Sequence, residues 1–203
     1  MQSLRELELT WMPVLYRDVV QSRVFQRSLA SIRRAHSPSH PCRRLDQHLV
    51  RPHSELWTRG LPLFVLLVAK EGLLDKEYLP EVLIQAWTSG YDLPEQIVGQ
   101  GRWIALFREA GFSNDGIPAT PPVTPPTLYR GSWHQFCRGL SWTSDWHHAI
   151  KYAGDGYSDL YVVHPKPEEL LAHITTRGDD EWIVDPIRMT FELVEPNHAC
   201  ALP

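Results

Sequence analysis

Three short stretches in the second half of this 203-residue chain carry side chains suited to a phosphorylated nucleotide. Leu128-Tyr129-Arg130-Gly131 ends a β-like run on an arginine. Gly139-Leu140-Ser141-Trp142-Thr143 sets two hydroxyls two residues apart, and Asp179-Asp180-Glu181-Trp182-Ile183-Val184 sets a carboxylate against an apolar run. A guanidinium fork meets phosphate oxygens in pairs where an ammonium does not, and a glycine beside it lets the backbone come close to a flat amide. If Leu140 to Trp142 is a strand, Ser141 and Thr143 lie on one face. A preorganised carboxylate such as Glu181 stabilises the positive charge that develops as a glycosidic bond breaks. Taken singly, each stretch has a plainer reading: a surface turn, ordinary strand hydroxyls, a solvated acidic loop.

The elements that must position these residues read as strands at Thr127 to Tyr129, Leu140 to Trp142, Leu160 to His164, Ala172 to Thr175, Trp182 to Val184 and Met189 to Val194. Between them, Asp145 to Ala153 reads as a helix capped by Ser144 or Asp145, and Lys166 to Leu171 as a short helix with Pro167 in its first turn. Short mixed strands with few helices give an α+β class with a split mixed sheet. Neither a glycine-rich phosphate loop nor an internal repeat is found.

The first half reads as helical. Apolar residues recur at near-helical spacing over residues 4–34, with Pro13 as an interruption and Arg17, Arg23, Arg27, Arg33 and Arg34 along a solvated face. Further helices are expected at Leu61 to Lys70, Lys76 to Ala86 and Pro94 to Ala110, the last stopped by Gly111, with Trp87, Trp103 and Phe107 as core anchors. The proline- and serine-rich segment from Ala35 to Pro52 reads as a loop, and its His36, His40, Cys42 and His48 fit no zinc spacing, so no metal is expected. Five prolines between Pro118 and Thr127 exclude helix there. The expected organisation is therefore a helical domain over 1–118, a proline-rich linker over 119–127 and a strand-rich domain over 128–203.

Composition narrows the setting. A net charge of -4 and ten histidines carry no whole-chain basic signature for nucleic acid. The charge is uneven: residues 1–60 hold ten Arg and no Lys against five acids, whereas residues 119–203 hold six basic residues against eleven acids. Three widely spaced cysteines without a C-x-x-C pair point to a reducing cytoplasm, and no stretch reads as a signal peptide or a membrane span, so a cytoplasmic protein with no membrane partner is expected.

In their combination and order, Tyr129-Arg130-Gly131, Ser141-Trp142-Thr143 with Ala149-x-x-Tyr152-Ala153, and Asp179-Asp180-Glu181-Trp182-Ile183-Val184 resemble the Arg-Ser-Glu class of the ADP-ribosyltransferase superfamily, which includes toxins and phage modification enzymes. The resemblance covers roughly residues 128–186. It implies a split sheet that binds NAD, as substrate, in a cleft, with no metal. Arg130 would anchor the nucleotide's phosphates, Gly131 would meet the nicotinamide amide, and Ser141, with Thr143 nearby, would support the nicotinamide ribose and orient Glu181. Glu181 would hold a ribose hydroxyl and stabilise the charge as nicotinamide leaves. Tyr152, with Tyr157 behind it, would supply an aromatic platform, and Asp179 would stand on the acceptor side. Two positions depart from the family pattern: Trp142 replaces a small residue between the hydroxyls, and Asp179 is shorter than the usual Glu or Gln.

The activity this implies is transfer of ADP-ribose from NAD to a macromolecular acceptor, protein or nucleic acid, as in a toxin or defence effector, for which an inhibitory partner protein is a further expectation. Two alternatives stand beside it. One is an NAD-degrading glycohydrolase, with water as acceptor. The other is a non-enzymatic module that binds protein or nucleic acid through the Arg-rich N-terminal part.

Overall fold

A computed structural model of the chain describes residues 14–48, 55–89, 94–153, 158–176, 178 and 180–194. It divides into two compact units, Met1–Leu106 and Phe107–Pro203. The described residues form seven α-helices and an eight-stranded mixed sheet, an α+β protein. None of the helices is long and apolar enough to cross a membrane.

The first unit is helical. Helix α1 spans Val14–Gln21 and α2 spans Arg23–Ala35; Ser22 caps α2 by accepting from the Phe25 amide at 3.2 Å. Phe25, Ser28, Leu29 and Ile32 fall at i, i+3, i+4 and i+7, so one face of α2 is buried and leaves Arg23, Arg27, Arg33 and Arg34 exposed. The part of the helical expectation on residues 4–13, Pro13 included, lies outside the described residues. Helix α3, Glu55–Lys70, begins earlier than the apolar run and carries Pro62 inside it. Helix α4 is Leu79–Thr88, with Pro80 in its first turn. The expected helix from Pro94 to Ala110 is two, α5 (Pro94–Val98) and α6 (Gln100–Ala110), because Gly99 takes φ +87°, outside the helical region. Trp87 and Trp103 are buried and meet edge to face at 5.3 Å, as core anchors.

The second unit is built on the sheet. Strands β1 (Ser113–Asn114) and β2 (Ile117–Pro118) form a hairpin around Asp115 and Gly116, both at positive φ. The sheet therefore starts upstream of the proline-rich segment, and residues 113–118, expected in the helical domain, pair with the strand-rich half. There follow β3 (Leu128–Ser132), β4 (Ser141–Thr143), α7 (Trp146–Ala153), β5 (Asp159–Val163), β6 (Leu170–Ile174), β7 (Glu181–Val184) and β8 (Glu192–Val194). The expected helix from Lys166 to Leu171 is a single 3₁₀ turn, Pro167–Glu169, closed when the Glu169 carboxylate accepts from the Lys166 amide at 2.7 Å. Leu170 already belongs to a strand.

The strand order is β2-β1-β6-β7-β4-β3-β5-β8, antiparallel throughout except β1 beside β6. Pairing is thus continuous across all eight strands. Its weakest joint is between β3 and β4, which meet only at Tyr129 and Thr143. On one face Leu128, Trp142, Tyr161, Val163, Leu170, Trp182, Val184 and Met189 form the core.

Candidate functional site

The joint between β3 and β4 brings the three sequence stretches together. Alternation along β4 sends Trp142 into the core, 2% exposed, where its indole N–H donates to the Gly139 carbonyl at 2.8 Å. Ser141 and Thr143 then share the opposite face. Strand β7 lies beside β4 with Thr143 opposite Glu181 and Ser141 opposite Ile183. The Ser141 hydroxyl reaches diagonally across and donates to Glu181 Oε1 at 2.6 Å. Such a short bond to a carboxylate is charge-assisted and fixes the orientation of Glu181.

Arg130 joins this pair through the backbone. Its Nε donates to the Phe136 carbonyl at 3.2 Å, and a terminal nitrogen donates to the Ser141 carbonyl. The guanidinium lies against Gly139, where a Cβ would come within 2.3 Å of it. Gly139 therefore has to be a glycine for Arg130 to take this position. In the structure Arg130 braces β3, the turn after it and β4, with two of its five donors on main-chain carbonyls.

Gly131 serves a different neighbour. A Cβ there would lie 2.3 Å from the Ala149 carbonyl and 2.6 Å from the Ala153 amide, so the C-terminal half of α7 rests directly on β3 at this residue. Thr143 is buried, and its hydroxyl accepts from the Asp145 amide at 3.0 Å. Asp145 in turn accepts from the amides of His147 at 2.8 Å and His148 at 3.2 Å, which makes it the cap of α7. Thr143 and Gly131 thus set where α7 starts and how closely it packs. Tyr152, near the end of α7, is 60% exposed and stands against His148 with ring centroids 5.3 Å apart. Asp179 and Tyr157 lie outside the described residues.

Several neighbours were not singled out from the sequence. The Asp180 carboxylate accepts from the Ser144 amide at 2.9 Å, from the Ser144 hydroxyl, and from His173 Nε2 at 2.6 Å. Burial pushes the Asp180 carboxyl up, but the bonds from Ser144 and His173 outweigh it and hold the group below the ordinary carboxylate range. The His173 ring stacks on Trp182 at 3.9 Å, so this latch ties the start of α7 to β6 and β7 immediately beside Glu181. In the turn after β3, Trp133 and Phe136 are both exposed and stacked at 6.2 Å, a few residues from Arg130. Exposed aromatics next to an arginine were the available sequence signal for that pair. Asp180 gave none, because its partners come from elements far apart in the chain.

Chemically, the site offers an oriented carboxylate, a hydroxyl bound to it, a fixed arginine and an exposed aromatic surface. No family model, curated protein or solved structure matches this chain.

Proposed function

We propose that the chain is an NAD-dependent mono-ADP-ribosyltransferase that breaks the nicotinamide glycosidic bond and passes ADP-ribose to a protein or nucleic-acid acceptor. The observation that carries this reading is the hydrogen bond from Ser141 to Glu181, with Arg130 fixed to the same strand residue. A carboxylate held in advance stabilises an oxocarbenium-like transition state without reorganising as the reaction proceeds. In this reading Glu181 faces the reacting ribose, Ser141 holds Glu181 in place, and Arg130 lies toward the phosphates. Tyr152 and the Trp133–Phe136 pair are the aromatic surfaces available to a flat base.

The test is incubation of the protein with NAD labelled in its ADP-ribose part, together with cell extract. Label retained on protein or nucleic acid is the expected result. Free ADP-ribose as the sole product points to hydrolysis instead, and absence of nicotinamide release refutes both.

A further inference from the structure

We propose that His36, Cys42 and His48, in the helical unit, form a mononuclear binding site for a zinc-class transition-metal ion. Their spacing, H-x5-C-x5-H, is not that of a zinc finger, and it is the fold that makes them neighbours. Nitrogen and sulfur atoms of the three side chains all lie within 4.8 Å of one another. His36 stands at the C-terminal cap of α2, Cys42 pairs with the strand-like segment at Leu74, and His48 ends a 3₁₀ turn, Leu45–His48.

Each ligand is held from behind. Ser37 and His40 exchange backbone hydrogen bonds at 3.2 and 2.9 Å, which fixes the His40 carbonyl, and His36 Nδ1 faces that carbonyl at 3.3 Å. A carbonyl only accepts, so Nδ1 carries the proton, and the Nε2 lone pair of a neutral His36 points toward the cluster. His48 Nδ1 meets the Ser31 hydroxyl at 3.1 Å, leaving His48 Nε2 to face His36 Nε2 at 2.9 Å. Cys42 is 1% exposed, its amide donating to Leu73 and its carbonyl accepting from Asp75. Partners of this kind behind imidazole ligands are what orients them in metal sites. The neighbouring cations are already matched: Arg43 pairs with Asp75 and Glu77, and Arg44 with Asp46. They leave little net positive charge to repel a metal ion.

The exchange balances. Without metal, His48 Nε2–H donates to His36 Nε2, and Cys42 is a thiol whose burial raises its pKa. On binding, His48 shifts its proton to Nδ1 and donates it to Ser31, while Cys42 gives up its proton to solvent. The ion thus gains two neutral imidazoles and one thiolate, with water in the fourth position, and about one proton is released. Tetrahedral bonds of about 2.0–2.3 Å set ligand atoms about 3.3–3.6 Å apart. The His36 and His48 nitrogens, at 2.9 Å, therefore open slightly, while separations of up to 4.8 Å in the cluster close by roughly 1 Å.

The test is titration of the full chain with Zn²⁺, measured by calorimetry in two buffers, and with Co²⁺, measured by visible absorption. One equivalent per chain, release of about one proton and a thiolate-to-cobalt charge-transfer band are expected. Cys42→Ala should abolish the band. His36→Gln and His48→Gln, at half-buried positions, should weaken Zn²⁺ binding at least about tenfold, and Ser31→Ala by about tenfold, with circular dichroism unchanged. Absence of the band, its survival in Cys42→Ala, or unchanged affinity in both folded histidine variants overturns the site. Should Cys42→Ala fail to fold, the histidine variants decide.

Discussion

Glu181 and Gln differ in charge but keep the same acceptor oxygen for the Ser141 hydroxyl, so Glu181→Gln separates electrostatics from geometry. On the proposed reading, nicotinamide release falls by about 100- to 1000-fold in this variant. The denaturation midpoint should stay where it was, and a variant with unchanged release removes Glu181 from the chemistry. Asp180 beside it yields a prediction about pH. Its carboxyl lies below the reference value of 3.8 in the folded protein. The unfolded chain therefore binds the proton more readily, and the contribution to stability is complete above that value and lost as pH falls through the folded one. Asp180→Asn should accordingly lose less stability than the parent between pH 7 and about pH 3, read as the shift of the urea midpoint. An equal shift in both proteins would show that the ionised Asp180, held by Ser144 and His173, contributes no stability for acid to remove.

Two glycines at the scale of elements make opposite predictions. A methyl at Gly131 would strike the backbone of α7, which has no side-chain rotation to offer. Gly131→Ala should therefore push α7 off β3 and cost about 1–3 kcal/mol in chemical denaturation, a typical penalty for overpacking. At Gly139 the obstacle is the guanidinium of Arg130, the far end of a flexible side chain. Gly139→Ala should displace Arg130 and lower the midpoint less than Gly131→Ala does, and on the proposed reading it should lower nicotinamide release by about 10- to 100-fold. If both variants behave alike in stability and turnover, the distinction drawn from their neighbours is wrong. The β1–β2 hairpin is the other lesson at this scale: Asp115-Gly116 is a recognised two-residue turn, but strands of two residues leave no alternating pattern to read.

For the whole chain, the boundary between units falls within α6, between Leu106 and Phe107, and the hairpin belongs with the sheet. A fragment beginning at Ala119 would uncover the edge of β6 and lose the bonds that the Asp115 carboxylate accepts from the amides of Thr175 at 2.7 Å and Thr176 at 3.2 Å. It would also lose the pairing of Arg108 with the buried Asp185 at 2.5 Å. An uncovered edge is a template for association. The fragment 107–203 should therefore be the more soluble and unfold at the higher urea concentration, by size-exclusion chromatography and denaturation; equal behaviour would show that residues 107–118 add nothing to the sheet unit.

The amino-acid sequence alone determined the α+β class, the strand that carries Ser141 and the strands that abut Arg130 and Glu181, because alternation and helical spacing are local and survive without neighbours. Pairing extends those two strands to include Arg130 and Glu181. It also placed Trp142 opposite Ser141, since successive residues of a strand point to opposite faces. What only the tertiary structure decided depends on partners distant in the chain: Gly139 making room for Arg130, Asp180 held by Ser144 and His173, and His36, Cys42 and His48 drawn to one point. No spacing rule encodes these, because the distances that matter arise only when separate elements pack.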